Sequence, residues 1–158
     1  MHPRCPYRVA FGLMIVLLLA GCSSTRPPSA STTEVPDERA EIVLAALGYL
    51  DVPYRYGGNS RQGLDCSALV QRVYRRVGRQ VPRTSRQQAQ SAQRVQTSQI
   101  QPGDVVFFAI DGGPINHVGI YIGDGRFVHA PNSRSRVRIE PLNTGYWQPR
   151  LRFAGHFL

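Results

Sequence analysis

Two segments of the chain carry apolar residues at helical spacing, and a third has the polar composition of an exposed helix. The first follows Asp37, a suitable N-cap, and its stripe consists of Ala40, Val43, Leu44 and Leu47, ending at Gly48. The second runs from Cys66 to Gly78, and its apolar residues are Leu69, Val70, Val73, Tyr74 and Val77. The third is predicted from a cap at Thr84 or Ser85 to about Ala92. This pattern places Cys66 at the start of a helix.

After Pro102 and Gly103 the apolar period changes from helical to the alternation of β-strands. Strands are predicted at 104–109, 117–122, 126–130, 137–142 and 151–157, with a hairpin signal at Gly123-Asp124-Gly125. Helices followed by an antiparallel meander predict an α+β fold, in which N-terminal helices pack against one side of an antiparallel β-sheet. The predicted folded part, residues 37–158, has the size of one domain and contains no internal repeat.

Residues 1–21 are predicted to be a signal peptide. Arg4 and Arg8 precede an apolar run over 9–20, which is short for a membrane span but typical of the core of a secretory signal. The run ends in Leu19-Ala20-Gly21-Cys22, which resembles the lipobox of bacterial lipoproteins, so Cys22 is expected to be the lipid-modified N-terminus of the mature chain. The alternative is an ordinary apolar leader with a chance cysteine.

Residues 22–36 form the predicted tether, because they are rich in Ser, Thr and Pro and carry too few apolar residues to fold. Ser23 is not an aspartate, which by analogy with lipoprotein sorting favours an outer-membrane anchor facing the periplasm. Removing Arg4 and Arg8 from the 19 basic residues leaves 17 against 10 acidic ones, a formal charge of +7. This charge suits anionic partners such as wall peptides or lipid head groups. Nucleic acid is not expected, since the arginines are dispersed and no nucleic-acid motif is present.

Cys66 is the only thiol expected to remain free. Cys5 leaves with the signal peptide, and Cys22 is blocked by the lipid. In an oxidising compartment a lone thiol is either a buried structural cysteine or a nucleophile. A helix N-terminus and a histidine nearby both favour the reactive thiolate.

Two histidines are candidates for the base. His117 shares its strand face with Gly119 and not with the alternating apolar residues, so it is expected to face the helix-side groove or solvent. A three-residue loop at 123–125 would place His129 opposite Gly119 and diagonal to His117, where it can orient the imidazole. A two-residue loop would reverse its face. The cysteine and the histidines could instead bind zinc, although no close ligand pair such as Cys-x-x-Cys is present.

The chain resembles the NlpC family of cell-wall cysteine peptidases in six segments that keep their order and spacing. These are Tyr54-Arg55-Tyr56-Gly57-Gly58, Leu64-Asp65-Cys66-Ser67, Val81-Pro82-Arg83-Thr84-Ser85 with Gln88, Pro102-Gly103-Asp104-Val105-Val106-Phe107-Phe108, His117-Val118-Gly119-Ile120-Tyr121-Ile122-Gly123 and Phe127-Val128-His129-Ala130. The resemblance begins near residue 38 and continues nearly to the C-terminus. It implies a papain-like α+β fold and cleavage of peptide bonds in peptidoglycan stems or cross-links.

The resemblance also implies catalytic roles for individual residues. Cys66 would be the nucleophile, His117 the general base, and His129 the polar residue that orients the base. Tyr54 matches a family tyrosine whose hydroxyl helps to hold the oxyanion, a task that needs a donor aimed at the developing negative charge. From the residues alone, an aromatic side chain packed on the loop is the alternative for Tyr54.

Substrate contacts are implied for Asp65 and Ser67, which flank the thiol, but both are equally suited to capping the helix. Arg83 also matches a family arginine, with a structural salt bridge as an equal alternative. Relatives usually have Gly-Phe where Ala68 and Leu69 stand here. Since both are good helix formers, this departure is expected to alter packing behind the nucleophile and to leave catalysis intact.

Together these observations predict a cysteine hydrolase of peptidoglycan peptides that works through an acyl-enzyme, with no cofactor and no metal. A non-catalytic envelope lipoprotein that binds wall peptides is the alternative. The expected partners are peptidoglycan peptides and, through the N-terminal lipid, a membrane, and the chain is expected to be a monomer. The residues leave open whether a bond between D-glutamate and diaminopimelate within a stem or a cross-link between stems is cut.

Overall fold

The structure is a computed structural model that describes residues 37–158. The predicted signal peptide, the lipid attachment at Cys22 and the tether up to residue 36 lie outside the described residues. Within the described part, no helix is long and apolar enough to cross a membrane.

Three α-helices and eight β-strands make up residues 37–158. The helices are α1 (Glu38–Leu47), α2 (Cys66–Tyr74) and α3 (Ser85–Ser91). The strands are β1 (Asn59–Ser60), β2 (Gly63–Leu64), β3 (Gln93–Val95), β4 (Val105–Phe108), β5 (His117–Gly123), β6 (Arg126–His129), β7 (Arg138–Pro141) and β8 (Leu151–His156). Short 3₁₀ turns occupy Arg75–Val77, Thr97–Gln99 and Gln148–Arg150.

The helix ends confirm the predicted caps. Asp37 and Asp65 cap α1 and α2 by accepting backbone amides, since the first amides of a helix have no partner within it. After α2 the chain turns at Gly78, whose φ of 73° lies in the left-handed region that glycine tolerates best. Thr84 caps α3 and forms a reciprocal capping box with Gln87.

Six strands form one antiparallel sheet in the order β3-β8-β4-β5-β6-β7, and β1 and β2 form a separate hairpin. The five predicted strands are present, and β4 to β7 form the predicted meander. The pattern does not reveal β1, β2 and β3, because each has only two or three residues and no apolar alternation. Strand β8 returns to pair between β3 and β4.

Both faces of this sheet are covered. The helices pack on one face, to which the sheet contributes Val105, Phe107, Val118, Ile120 and Val128. A second apolar cluster lies on the other face and consists of Val106, Phe108, Phe127, Leu142, Trp147 and Ala154. The predicted helix layer is therefore confirmed, and the segment after β7 supplies a second cover on the opposite side.

Candidate active site

Cys66 is the first residue of α2 and lines a cleft of about 570 Å³. The loop before α2, the start of α3 and the loop before β5 supply the other walls, with Tyr54, Tyr56, Asp65, Ser67, Arg83 and Asn116 among the lining residues. Cys66 itself is 9% exposed. The thiol therefore lies at the bottom of the cleft, where a bound peptide can reach it.

The surroundings of Cys66 favour the protonated thiol. Burial raises its pKa to about 11, and the carboxylate of Asp65 acts in the same direction. The backbone amides of Val118, Ser67 and Cys66 are directed at the sulfur and act in the opposite direction, but less strongly. The helix N-terminus alone therefore does not produce a thiolate at neutral pH, and a base must take the proton during the reaction.

His117 begins β5 and His129 ends β6, and their rings are in contact. Nε2 of His117 and Nδ1 of His129 are 2.8 Å apart, with the ring planes at 85°. Burial lowers the pKa of His117 to about 3, and His129 adds to this effect while Glu140 opposes it. Burial and the nearby Arg138 likewise lower the pKa of His129 to about 3. Both rings are therefore neutral at physiological pH, and the contact is a hydrogen bond between two uncharged imidazoles.

The register between β5 and β6 explains how the two rings meet. Ile120 pairs with Val128, so His129 falls opposite Gly119, which is the more favourable of the two placements left open by the sequence. The hairpin does not have the three-residue loop on which that placement was conditional, because the turn has two residues, Asp124 and Gly125, both at positive φ (51° and 66°). A β-bulge just before the turn restores the register that a two-residue turn would otherwise reverse.

The expected direction of His117 is also wrong. Its ring faces neither solvent nor the groove beside the helices, but packs against Phe108 and Trp147, with ring centroids 6.0 and 5.5 Å away. The expectation fails because the segment after β7 packs on that face of the sheet and partly covers it. Cys66 belongs to the helix-side cluster, with the amide of Val118 directed at its sulfur. The thiol and the imidazole are thus brought to the same end of β5.

The Asp65 carboxylate is occupied by donors of the protein itself. As the N-cap of α2 it accepts the amide of Ala68 at 2.8 Å, and it accepts the hydroxyl of Ser67 at 2.9 Å. Arg83 donates to its two oxygens at 2.9 and 2.7 Å and to Oγ of Ser67 at 2.9 Å. Burial, the largest single effect, raises the pKa of Asp65, but these donors outweigh it and hold the pKa below its usual value. Asp65 therefore caps α2 and forms a salt bridge with Arg83, and Asp65, Ser67 and Arg83 all line the cleft as well.

Tyr54 lines the same cleft. Burial raises the pKa of its hydroxyl, and Cys66 and Asp65 raise it further, so the hydroxyl keeps its proton and can donate. The backbone of Tyr54 is held by its amide, which donates to the carbonyl of Ser135 at 2.9 Å, and by a bridge to Leu64. A protonated hydroxyl on an anchored stretch of backbone, in the cleft that also holds the thiol, has properties that an oxyanion-binding group needs.

Two residues that the sequence pattern does not single out complete the surroundings of the histidines. Oε2 of Glu140 lies 3.6 Å from Nε2 of His129 and accepts the indole N–H of Trp147. The Trp147 ring stacks on His117 at an interplanar angle of 24° and stands at 87° to His129. Two features of the sequence could have drawn attention to these residues. Trp147 is the only tryptophan of the chain, and Glu140 is the only acidic residue in a predicted strand after Asp104.

A second cavity, of about 750 Å³, opens on the Trp147 side of His117. Its other walls come from the segments around β7, including Asn132, Arg138, Glu140 and Tyr146. The two cavities have neighbouring residues of the chain in their walls, Asn116 in one and His117 in the other. Within residues 37–158, no group of three or more His, Cys, Asp or Glu side chains is arranged to hold a metal ion.

A cysteine at the start of a helix, packed on an antiparallel sheet that carries two paired histidines, is the arrangement of a papain-like α+β domain. Residues 51–155 match the model of the NlpC/P60 family. The chain belongs to this family, which confirms the resemblance found in the six sequence segments.

Three bacterial proteins that are similar in sequence to this chain support its membership of the family. The chain is 38% identical over 140 residues to the probable endopeptidase NlpC of Escherichia coli (strain K12), covering 86% of this chain and 90% of that protein. It is 38% identical over 123 residues to the murein DD-endopeptidase MepS/murein LD-carboxypeptidase of the same strain, covering 77% of this chain and 64% of that protein. It is 37% identical over 120 residues to a gamma-D-glutamyl-L-lysine dipeptidyl-peptidase of Bacillus cereus, covering 73% of this chain and 36% of that protein. The chain thus spans less than two thirds of the second and third relatives.

Solved structures show the same fold. An NlpC/P60 family protein from Bacillus cereus aligns with a TM-score of 0.73 and 34% identity, covering 76% of this chain and 40% of that one. The NlpC/P60 domain of the peptidoglycan hydrolase SagA aligns with a TM-score of 0.65 and 31% identity, covering 74% of this chain and 97% of that one. The predicted α+β, papain-like fold is therefore confirmed.

Proposed function

We propose that this chain is a cysteine peptidase that hydrolyses amide bonds of peptidoglycan peptides through an acyl-enzyme. The observation that carries the proposal is the position of Cys66 at the start of α2, at the same end of β5 as the hydrogen-bonded pair His117 and His129. The substrate class is supported by the relatives, whose names include murein DD-endopeptidase and gamma-D-glutamyl-L-lysine dipeptidyl-peptidase.

In the acylation step, His117 takes the thiol proton of Cys66 while the sulfur attacks the substrate carbonyl carbon. Nε2 of His117 is engaged by His129, so Nδ1 is the ring nitrogen left for the thiol. Burial raises the pKa of the thiol and lowers that of the imidazole, so the proton moves during the attack and no stable ion pair precedes it. The amide of Cys66 at the helix start and the hydroxyl of Tyr54 donate to the oxyanion.

The acyl-enzyme then forms and is hydrolysed. His117 returns its proton to the leaving amine, the C–N bond breaks, and the acyl group remains on Cys66 as a thioester. His117 next takes a proton from water as the water oxygen attacks the thioester carbon. The C–S bond then breaks, His117 returns the proton to the sulfur, and the carboxylic acid leaves. Because His117 delivers the proton to the leaving group, the cavity beside His117 takes the amine side of the substrate, and the cleft at Cys66 takes the acyl side.

The location and the bond belong to the same proposal. The motif Leu19-Ala20-Gly21-Cys22 followed by Ser23 supports a lipid anchor in the outer membrane, with the domain facing the periplasm. Either a stem bond at D-glutamate or a cross-link between stems suits the mechanism, and the relatives' names cover both kinds of activity. The second candidate is a non-catalytic lipoprotein that binds wall peptides, which the buried and protonated Cys66 favours.

The proposal is tested by digesting defined muropeptides with the full chain and identifying the products by mass spectrometry. Cys66→Ala and His117→Ala are expected to abolish product formation without changing the circular dichroism spectrum. His156→Ala is the matched control, because His156 lies on β8 and lines neither of the two cavities. Undiminished cleavage by Cys66→Ala would refute a thiol mechanism. Binding of muropeptides without cleavage by the unmodified chain would support the second candidate, and the product masses identify the bond.

A further inference from the structure

One nitrogen at the buried end of the histidine pair has no hydrogen-bond partner among the described residues. His129 is fully buried, its Nδ1 contacts His117, and its Nε2 forms no hydrogen bond. A carboxylate oxygen, Oε2 of Glu140, lies 3.6 Å from this Nε2. That distance is longer than a hydrogen bond, but a negative charge so close in a buried site strongly favours an N–H over a lone pair. The proton of the neutral His129 ring is therefore on Nε2.

The position of this proton determines the state of the other ring nitrogens. A neutral imidazole has one donor and one acceptor nitrogen, so Nδ1 of His129 is then an acceptor. Nε2 of His117 must donate to it across 2.8 Å, which leaves Nδ1 of His117 with a free lone pair. In the opposite arrangement, Nδ1 of both rings would carry the proton, and His117 would have no lone pair to offer the thiol.

Glu140 is held in place by contacts on both of its oxygens. Trp147 donates its indole N–H to Oε2, and Arg138 forms an ion pair with Oε1. Glu140 pairs with Phe127 in the ladder between β6 and β7, so its side chain lies on the same face of the sheet as His129. Among the described residues that line the cavity beside His117, Glu140 is the only acidic one.

We infer that Glu140 is a positioning residue, which fixes the proton of His129 on Nε2 and thereby keeps Nδ1 of His117 free to act as the base. The catalytic part of this inference rests on the proposed peptidase function, whereas the tautomer is a property of the resting protein. Arg138 carries the opposite charge and disfavours protonation of His129, so of these two charged groups beside the ring only the carboxylate of Glu140 favours a proton on Nε2.

The test compares three substitutions in the full chain labelled with ¹⁵N-histidine. Glu140→Leu removes both the charge and the acceptor at similar volume, and Glu140→Gln removes the charge alone. Arg138→Gln is the control, because it breaks the ion pair and leaves the carboxylate beside His129. Long-range ¹H–¹⁵N spectra report which nitrogen of each ring is protonated, and muropeptide digestion reports kcat.

The unmodified chain and Arg138→Gln are expected to show a single tautomer, protonated on Nε2 in both His117 and His129. Glu140→Leu is expected to populate the form protonated on Nδ1 and to lose about tenfold or more in kcat, by analogy with the loss of groups that orient metal-binding histidines. Glu140→Gln is expected to show the same changes to a smaller extent, and it serves as the test if Glu140→Leu does not fold.

Unchanged tautomers in the folded Glu140 variants would overturn the inference, whatever their kcat. The spectra also separate the inference from the proposed function. If the chain cleaves no muropeptide and its tautomers still depend on Glu140, the peptidase proposal fails and the positioning role of Glu140 stands.

Discussion

Replacing Asp65 by alanine tests how firmly the helix that carries the nucleophile is anchored. Loss of an N-cap alone costs about 1 kcal/mol. Arg83 and Ser67 also lose their shared carboxylate, and leaving such partly buried donors unpaired costs about 1–3 kcal/mol more. The Arg83 side chain is 34% exposed, so water compensates part of this loss. We therefore expect the free energy of unfolding to fall by about 2–3 kcal/mol at neutral pH, a large share of the ~5–15 kcal/mol typical of a domain.

Urea unfolding of the purified chain measures this change, and Asp37→Ala is the matched control. Asp37 is also an N-cap aspartate, and it accepts the amide of Arg39 at 3.0 Å. It is exposed, however, and forms no ion pair within residues 37–158. Its loss is expected to cost about 1 kcal/mol. Equal losses for the two variants would refute the reasoning, because the contacts with Arg83 and Ser67 would then add nothing to the cap.

The direction of the pH dependence provides a second check on Asp65. The donors around its carboxylate lower its pKa from the usual 3.8, so the stabilisation is fully present above that value and is lost as the pH falls through the lower pKa of the folded state. The stabilities of the unmodified chain and Asp65→Ala are therefore expected to converge only below pH 3.8 in urea unfolding. Convergence already at mildly acidic pH would contradict the lowered pKa.

Two further predictions concern the base and the strand that carries it. Burial lowers the pKa of His117 to about 3, so the imidazole remains unprotonated in mildly acidic solution. We therefore expect kcat/KM to keep its value as the pH falls below 6.5. A loss of kcat/KM centred at pH 6.5 would contradict this prediction. Gly119→Ala is expected to lower the free energy of unfolding by about 1–3 kcal/mol in urea, because its Cβ would lie 2.5 Å from Cδ2 of Phe127. Gly113→Ala, which meets no atom within 4 Å, is the control and is expected to change stability by less than about 0.5 kcal/mol.

Features that depend on neighbouring residues were predictable from the sequence. The caps at Asp37 and Thr84 follow from side chains that reach amides two or three residues away. The alternation of Val118 and Ile120 identified them as core residues of β5, but not that their face is the one under the helices. The position of Cys66 at a helix start follows from the same local rules, which is why the nucleophile is the best predicted part of the candidate site.

Features that depend on residues far apart in the chain were not predictable in the same way. The direction of His117 is set by Trp147, which comes from the segment beyond β7 and has no periodic pattern of its own. In the sequence, Glu140 has the pattern of a polar residue in an exposed strand. Only the pairing of β6 with β7 places it beside His129. The opposing positions of His129 and Gly119 were expected only for a three-residue loop, and it is the bulge before the two-residue turn that produces this register.

The place of β8 inside the sheet has a consequence for how the chain folds. Strand β8 comes last in sequence but pairs with both β3 and β4, and its Phe153 stacks on Phe107 with ring centroids 4.6 Å apart. Without β8, one edge of β4 is unpaired and Phe107 loses its stacking partner. Pairing over such a sequence separation is slow, because a long loop must close first. A chain truncated before residue 151 would therefore still carry Cys66, His117 and His129, but it would lack the strand that completes the sheet holding the two histidines.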